Sequence, residues 1–587
     1  MTKNNFKNLF TIFLAFITYL SFIQMDIIVS YNVLSFIVFI LLLLLYKNYL
    51  FKNDKYKITS IVLASIFSVL TIFGRNFFAY YNVYSVNIWQ EIFSLRSAIY
   101  LMGLFPLYFC IIHIIIQKLC SITVNTTYKY NNKLFIIISM ILMLGVWSIY
   151  LLTYFPGTLS PDSIKEYSMF VNGIKITSDH HPVLHILFMA LFYKIGYGIF
   201  GTPNIGVLFV SLAQMLILSS IFTYSLIFLR KRNCPKIVTY GLLLFYAFAS
   251  MNGYYSITMW KDVLFAGLLL LLTTECYKIY ENKDNLQIKN MISFGIISLL
   301  IVFFRNNAIY AYLILAVVIL ILLKKDFKKL GITFLSVILI FIFVKGPVFS
   351  WCGIRKSSSS EYIGMPLQQI GRVVAKGETL TKKEIKMINK LLPIEIIATS
   401  YNPVVSDGIK SNKNFSIDEF NENKLCYAKM YTKLLFKHFP TAMEAYFIST
   451  LGYWYPNVVY WSVSDITWEN KIGITIDTKT NSKIKEILSK GEARDLPLFC
   501  MQWSIGLCVW TIIILLVSFI IKNKKFGIIP FLPCITIWIT MLIASPVWGE
   551  FRYVYGLFTT LPFLIGIFFI NNGGKLDERK IKNVSKK

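Results

Sequence analysis

The sequence predicts an all-α polytopic membrane protein of about fourteen transmembrane helices, and three observations support this class. The 587 residues are 56% hydrophobic and only 15% charged, with a mean hydropathy of +0.62, as is typical of chains that cross a bilayer many times. Apolar runs long enough to span a membrane as helices recur along the whole chain. Aromatic residues make up 16% of the sequence, which fits aromatic rings at both membrane interfaces.

The basic residues predict the orientation of these spans. The spans fall near 8–24, 28–46, 58–73, 97–117, 134–153, 205–229, 237–251, 261–278, 291–304, 307–323, 331–346, 498–520, 526–543 and 553–571. Lys47 and Lys52 follow the second span and Lys118 and Lys129 follow the fourth, and an excess of Lys and Arg marks short cytoplasmic loops. Both termini, including the basic tail 575–587, are therefore predicted to be cytoplasmic. Because the net charge of +29 resides in such loops, nucleic acid is not an expected partner.

Val183–Phe200 decides the topology of everything that follows it. The segment is apolar but short, and Lys194 lies near its middle. If it crossed the membrane, the basic loops that begin at Arg230 and Lys324 would fall outside, whereas a helix lying along the surface leaves them in the cytoplasm. We therefore predict an amphipathic juxtamembrane helix over 183–200, with the preceding loop 154–182 on the extracytoplasmic face.

The chain divides into four predicted segments: 1–132 with the first four transmembrane helices, 133–348 with a second transmembrane module, 349–497, and 498–587 with the last three helices and the tail. The polar segment 349–497 is long enough for a mixed, partly helical extracytoplasmic domain. Within it, Thr381-Lys-Lys-Glu384 predicts a capped helix. Trp454 and Trp461 offer aromatic surface for stacking on sugar rings, or belong to an interfacial aromatic belt.

Loop 154–182 concentrates acids and imidazoles between apolar runs. Ser160-Pro161-Asp162 predicts a helix start with Ser160 as N-cap, and the sequence Ser178-Asp179-His180-His181-Pro182 predicts a second start. Each of these residues taken alone is better explained as a cap. Their clustering in one loop at a membrane surface makes a functional site an equal alternative.

Four charged residues lie at predicted extracytoplasmic helix ends, where basic residues have no role in orienting the chain. Lys261 and Asp262 begin the eighth span, Arg305 follows the ninth, and Arg552 begins the fourteenth. Each cation alone could reach the lipid headgroups or pair locally, Lys261 with Asp262 and Arg552 with Glu550. Three cations on one membrane face, beside an acidic loop, favour a phosphate-binding pocket.

These pieces, in this order, resemble the GT-C class of glycosyltransferases, membrane enzymes that take sugars from polyprenyl-phosphate carriers, such as the protein O-mannosyltransferases and aminoarabinose transferases. The resemblance covers about 154–309 and the last span, and the first four spans lie outside it. The chain also resembles a group of largely uncharacterised bacterial membrane proteins at 365–370 and 407–410. The GT-C resemblance rests on Pro156-Gly157-Thr158-x-x-Pro161-Asp162-Ser163, His180-His181-Pro182 with the helix after it, Lys261-Asp262 and, more loosely, Arg305-Asn306-Asn307 and Phe551-Arg552-Tyr553.

The resemblance implies a GT-C-like fold and transfer of a sugar, with inversion, from a polyprenyl-phosphate carrier to an extracytoplasmic acceptor. The acceptor would be a bacterial cell-envelope glycopolymer or a glycolipid, and the enzyme would lie among the lipids of the cell membrane. Asp162 would be the base. The substrate-binding residues would be His180, His181, Lys261, Asp262, Arg305 and Arg552, with the three cations holding the donor phosphate.

One departure from the GT-C pattern concerns the acids of the first outer loop. Many relatives carry two adjacent acids where this chain has Asp162 followed by Ser163. The second acid would then be Glu166, Asp179 or Asp262. The nine cysteines show no metal-ligand spacing, and a requirement for a divalent cation stays open.

Two other functions are weighed against this one. A polysaccharide polymerase or ligase would rely on Arg and His residues of its large outer loop rather than on an Asp between the fifth and sixth spans. A flippase or transporter of lipid-linked sugars predicts polar residues near the bilayer midplane, whereas most spans here are uninterrupted and apolar. His113 and Gln214 are the main polar residues within spans, and such single residues commonly pair between helices.

Overall fold

The computed structural model describes residues 3–28, 32–124, 130–358, 363–458, 473–489, 500–545 and 547–570. Across these ranges every regular element is a helix, and β-structure is limited to isolated bridges. The chain is a multi-pass membrane protein, since eleven of the described helices are long and apolar enough to cross a bilayer and four shorter apolar helices accompany them. The all-α polytopic class is confirmed, whereas the count of fourteen spans stays a prediction.

The helices of the first half follow in chain order. They are α1 (Lys3–Gln24), α2 (Val33–Tyr49), α3 (Lys57–Tyr80), α4 (Ile88–Ile92), α5 (Leu95–Ser121), α6 (Asn132–Thr153), α7 (Pro161–Ser168), α8 (Val183–Phe200), α9 (Pro203–Arg230), α10 (Lys236–Phe248), α11 (Ser250–Ser256), α12 (Lys261–Glu281), α13 (Ile288–Phe304), α14 (Ala308–Leu322), α15 (Phe327–Phe343) and α16 (Phe349–Trp351). A π-helical turn, Val344–Val348, joins the last two.

The second half begins with helices outside the bundle and ends with three long apolar ones. They are α17 (Gly364–Ala375), α18 (Lys382–Leu391), α19 (Ile394–Ser400), α20 (Asp407–Lys410), α21 (Ile417–Glu422), α22 (Lys424–Lys437), α23 (Phe439–Ser449), α24 (Ser482–Ser489), α25 (Ile505–Asn523), α26 (Leu532–Ala544) and α27 (Tyr555–Gly566). The 3-10 turn Phe551–Val554 leads directly into α27.

Helix α12 is the centre of the transmembrane bundle. Almost every residue from Asp262 to Tyr280 is buried, because α9, α13, α26 and α27 surround the helix. A helix that is apolar on all sides belongs in such a core. The N-terminal helices α1–α5 pack beside this core through α25, where the rings of Phe67 and Trp510 stack with centroids 4.1 Å apart.

Each of the fourteen predicted spans coincides with a helix, and the predicted and observed bounds differ near the helix ends. The predicted span 237–251 is divided, because Ala249 has an extended conformation with ψ of 116° between α10 and α11. The predicted span 498–520 begins late, at Ile505, because the Ser504 side chain caps the helix there by accepting the Leu507 N–H.

Helix α8 packs as an antiparallel hairpin against the first half of α9. Its Tyr193 ring lies so close to Gly206 that a Cβ there would meet the ring at 2.5 Å. The opposite face carries exposed apolar side chains, including Leu187 and Leu191, with Lys194 as an exposed polar exception. The predicted amphipathic character is therefore wrong, because both faces of α8 are apolar. Its position along the membrane surface stays a prediction, since α8 is also long and apolar enough to cross.

Helices α17–α23 form a unit, here called the helical domain, whose core is contributed mainly by α17, α18 and α22. A buried ion pair joins α17 to α23, with Arg372 Nε 3.0 Å from Glu444 Oε2. Helix α18 begins where predicted, and Thr381 and Glu384 form its capping box. The described residues between 349 and 497 contain no strand, so the predicted mixed composition is corrected to a helical one.

The segment after α23 enters the transmembrane core rather than presenting aromatic surface. The Trp454 ring is 5% exposed and packs against Phe447, and its indole N–H donates to Thr450 Oγ1 at 3.2 Å. The prediction that Trp454 stacks on sugar rings is therefore wrong, because no face of its ring is open. Other calls lie outside the described residues: Trp461, Lys129, the boundary at 497 and the tail 575–587.

Candidate functional site

Two short extended segments, one before α7 and one before α12, lie side by side and bring the starts of these helices together. The Thr158 N–H donates to Ile257 O at 3.0 Å and the Met259 N–H donates to Thr158 O at 3.1 Å. The Thr158 and Thr258 hydroxyls are 2.7 Å apart. This pairing places the first turn of α7 beside the first turn of α12, 100 residues later in the chain.

Helix α9 holds this pair of segments from within the bundle. The Gln214 side-chain amide donates to three backbone oxygens just before α12, those of Tyr255, Ser256 and Thr258, at 2.9–3.1 Å. The Ser211 hydroxyl donates to Pro156 O at 2.9 Å on the other segment. The expected pairing of Gln214 between helices is confirmed, and its three bonds fix the start of α12 relative to α7.

Asp162 lies in the first turn of α7, as the sequence predicts. Ser160 is the N-cap and Pro161 the first residue of the helix, while the Ser160 and Ser163 side chains form a capping box. The Asp162 side chain is 29% exposed, and its Oδ2 accepts from Arg552 Nη1 at 2.7 Å. The predicted base is therefore ion-paired with a predicted phosphate ligand, 390 residues away in the chain.

Arg552 is shared between two carboxylates. Besides Asp162, its guanidinium contacts Glu550, with Nε 2.6 Å from Oε1. The guanidinium also lies over the Trp260 ring, 5.1 Å from the centroid. A planar guanidinium suits this arrangement, because its donors can serve two oxyanions at once while its face rests on an aromatic ring.

Arg305 is less available than predicted. It is 7% exposed, and its Nη1 donates to Tyr553 O at 2.8 Å and lies 3.4 Å from Asp262 Oδ1. Asp262 is 2% exposed, so each charge is the partner that makes burial of the other tolerable. This buried pair joins the end of α13 to the starts of α12 and α27, and the phosphate contact of Arg305 stays a prediction. Lys261, by contrast, is partly exposed.

The two carboxylates that share Arg552 differ in their proton affinity. Burial alone would raise the pKa of Asp162, but the positive charges of Lys261 and Arg552 outweigh it and hold this pKa well below its ordinary value. Glu550 is 5% exposed, and burial together with the negative charges of Asp262 and Asp162 raises its pKa to about 7 despite Arg552. At neutral pH Asp162 is ionised, whereas Glu550 is close to half-protonated.

A second charged group lies on the opposite side of α7. The Glu166 carboxylate is buried between two imidazoles, with Oε2 2.5 Å from His185 Nδ1 and Oε1 3.2 Å from His181 Nδ1. Burial would raise the pKa of Glu166, but His185 and His181 lower it overall. His180 is exposed, and its ring meets that of His181 edge to face. Of the two predicted substrate-binding histidines, His181 is thus turned inward and His180 outward.

The segment Ser178–Pro182 does not cap α8. Helix α8 begins at Val183 without a side-chain cap, because Asp179 binds elsewhere. Its Oδ2 pairs with Lys345 Nζ at 2.9 Å and its Oδ1 accepts the Ser357 N–H at 2.6 Å. Lys345 also donates to Asn306 Oδ1 at 2.7 Å. This contact ties the histidine loop to the ends of α13 and α15. The predicted second helix start is confirmed, because α8 begins at Val183 directly after Pro182, but no side chain caps it.

The acids and imidazoles of this cluster are also the side-chain types that bind metal ions. Within the described ranges no group of three or more His, Cys, Asp and Glu side chains has the spacing of a metal site. The oxygens of Asp162 and Glu550 already face Arg552, and those of Glu166 face histidines.

Residues 175–582 match the model of a family of unknown function, DUF6020. The chain belongs to the DUF6020 family. Searches of curated proteins and of solved structures found no match, so the GT-C-like fold stays a prediction. The DUF6020 match includes Asp262, Arg305, Glu550 and Arg552, whereas Asp162 lies just before it.

Two residues of the DUF6020 chain belong to the site although they are not predicted from the sequence. Lys345 is a cation at the end of an apolar helix, so the criterion that selected Lys261 and Arg305 would also have found it. Glu550 was considered only as a local partner that neutralises Arg552. Its burial and its shared arginine are tertiary properties without a local sequence signal.

Proposed function

We propose that this protein is a membrane glycosyltransferase that moves a sugar from a polyprenyl-phosphate carrier to an extracytoplasmic cell-envelope glycan or lipid. The observation that carries the proposal is the contact of Asp162 with Arg552, beside Lys261, at the end of an apolar bundle. Such a transfer needs an ionised carboxylate that can accept a proton and, beside it, cations that can stabilise a phosphate.

The chemistry assigns one role to each partner. The Asp162 carboxylate accepts the proton of the acceptor hydroxyl as its oxygen attacks the anomeric carbon of the sugar. The bond between that carbon and the phosphate oxygen breaks, and the electron pair remains on the phosphate. Arg552 and Lys261 stabilise the negative charge that develops there. Attack opposite the leaving phosphate inverts the anomeric centre.

The ion pair between Asp162 and Arg552 belongs to the donor-free state. A carboxylate held by a guanidinium is a weak base, because its pKa is low. When a donor phosphate takes over part of the hydrogen bonding of Arg552, the guanidinium stabilises the Asp162 carboxylate less and the basicity of Asp162 rises. Donor binding thereby prepares the base.

A transfer assay tests the proposal. Purified protein is incubated with radiolabelled polyprenyl-phosphate sugars and with membrane glycopolymers or glycolipids, and release of the carrier is followed with and without acceptor. Acceptor-dependent release in the native protein, lost on Asp162→Asn, is the expected result. Binding of a donor without transfer to any acceptor would refute the proposal and favour a flippase of lipid-linked sugars.

A further inference from the structure

Glu550 is a buried carboxylate in a loop that the rest of the fold holds in place. Its backbone N–H donates to the Tyr453 hydroxyl at 3.3 Å, and the Ser545 hydroxyl donates to the same oxygen at 3.0 Å. The backbone N–H of Trp548 donates to the backbone oxygen of Val404 in the helical domain at 3.0 Å. The loop that carries Glu550 is therefore held both by Tyr453 and by the helical domain.

The charges around Arg552 balance only if Glu550 is ionised. Three carboxylates and three cations meet there: Asp162, Asp262, Glu550, Lys261, Arg305 and Arg552. A phosphodiester donor brings one further negative charge. In a buried site an uncompensated charge is costly, so the cluster must gain a positive charge or lose a negative one when the donor binds.

We propose that Glu550 is the proton-exchanging group of this site, taking up one proton when the anionic phosphodiester of the donor binds to Arg552. The inference rests on the proposed function. Glu550 suits this role through its position on the Nε edge of Arg552, opposite the Nη1 atom that holds Asp162. Protonation removes the negative charge of Glu550 from beside Arg552 and keeps the net charge of the site constant when the phosphodiester adds its own.

The chemical step itself leaves the net charge of the site unchanged. When the anomeric C–O bond breaks, the phosphodiester becomes a monoester and gains a second negative charge, while Asp162 receives the acceptor proton and loses its own negative charge. Glu550 therefore keeps its proton through the step. When the lipid phosphate leaves the site, Glu550 returns its proton to water and becomes a carboxylate again.

The groups that act on Glu550 come from several elements. The charged ones are Arg552 from its own loop, Asp262 from α12 and Asp162 from α7, and three buried phenols complete the surroundings, those of Tyr255, Tyr453 and Tyr553. The two carboxylates raise the pKa of Glu550 and Arg552 lowers it. An anion placed on Arg552 weakens the lowering contribution, so donor binding raises the pKa of Glu550 further.

The sign of the pH dependence follows. Below pH 7 Glu550 is already protonated in the free protein, and donor affinity does not change with pH. Above pH 7 the free protein must take up a proton to bind, so the dissociation constant rises by up to about tenfold per pH unit. In Glu550→Gln the side chain is neutral throughout, and affinity at pH 8 equals that of the native protein at pH 6.

The binding experiment uses farnesyl methyl phosphate, a monoanionic phosphodiester that carries lipid and phosphate but no sugar. Its dissociation constant is measured by calorimetry at pH 6 and pH 8 for the native protein, Glu550→Gln and Glu281→Gln. Glu281 is the matched control, because it pairs with Arg232 at the opposite end of α12. The native protein and Glu281→Gln are expected to bind farnesyl methyl phosphate more weakly at pH 8 than at pH 6. Glu550→Gln is expected to bind it with the same affinity at both pH values.

A pH slope that persists in Glu550→Gln would overturn the inference and assign the proton to a histidine such as His180. A second measurement does not depend on the donor: infrared difference spectra of native protein against Glu550→Gln should show a protonated carboxyl band that disappears as pH rises through about 7. Absence of this band also overturns the inference. If the band is present but no phosphodiester binds at any pH, the glycosyltransferase proposal and the donor-linked uptake fail, while the titration of Glu550 stands.

Discussion

Replacing Asp162 with Asn separates a catalytic carboxylate from a structural one. The amide keeps the size and hydrogen-bonding capacity of the side chain but cannot accept a proton. Loss of a general base lowers transfer by about a hundredfold or more, which corresponds to about 2.7 kcal/mol in the activation free energy. If Asp162 only stabilised α7 and paired with Arg552, transfer would follow stability instead.

The structure limits what the substitution costs in stability. The ion pair with Arg552 is partly buried, with 29% of the Asp162 side chain and 15% of the arginine side chain exposed. The amide oxygen in Asp162→Asn can still accept a hydrogen bond from the guanidinium, so the substitution removes the charge of the pair but keeps a contact. The interaction of the carboxylate with the N-terminus of α7 contributes about 0.3–1 kcal/mol. The loss of activity is thus expected to exceed anything that reduced stability explains.

The assay compares turnover and thermal stability in detergent for the native protein, Asp162→Asn and Asp418→Asn. Asp418 is a matched control, because it occupies the second position of α21 after the N-cap Ser416, as Asp162 does in α7 after Ser160. The control should retain full turnover. Near-normal turnover in Asp162→Asn would refute the base assignment. The search would then move to Glu550, because Glu166 is held by two histidines and Asp262 by Arg305.

Three further predictions follow from burial and topology. Arg305→Met should lower stability by about 3–5 kcal/mol, because it leaves Asp262 buried without its cation; an unchanged melting temperature, or a loss confined to donor binding, would contradict this. Trp454→Ala should cost about 3–5 kcal/mol by emptying a packed site, whereas a fully stable variant with weakened acceptor use would restore the sugar-stacking prediction. Thr202 lies in the exposed turn between α8 and α9. In a background without the exposed cysteines, Thr202→Cys should react with an impermeant reagent from outside the cell. Labelling only from the cytoplasm would overturn the predicted topology and, with it, the predicted extracytoplasmic location of the site.

Local features of the sequence were sufficient for the bundle and for part of the site. Apolar runs in a bilayer must become helices, because no water is present to pair with the backbone, and so each predicted span coincides with a helix. Ser160-Pro161 likewise determines that α7 begins there and that Asp162 lies in its first turn. Charges at helix ends were visible as exceptions in otherwise apolar surroundings, which identified Lys261, Arg305 and Arg552.

The tertiary structure decided which of these helix ends meet and what each charge contacts. Arg552 pairs with a residue 390 positions away, and no local pattern states that the start of the last span lies beside α7. Arg305 and Arg552 look alike in the sequence, but packing encloses Arg305 with Asp262 and leaves Arg552 between two carboxylates. Position along a helix depends on neighbouring residues, whereas the burial that raises the pKa of Glu550 depends on how distant helices and the helical domain close around it.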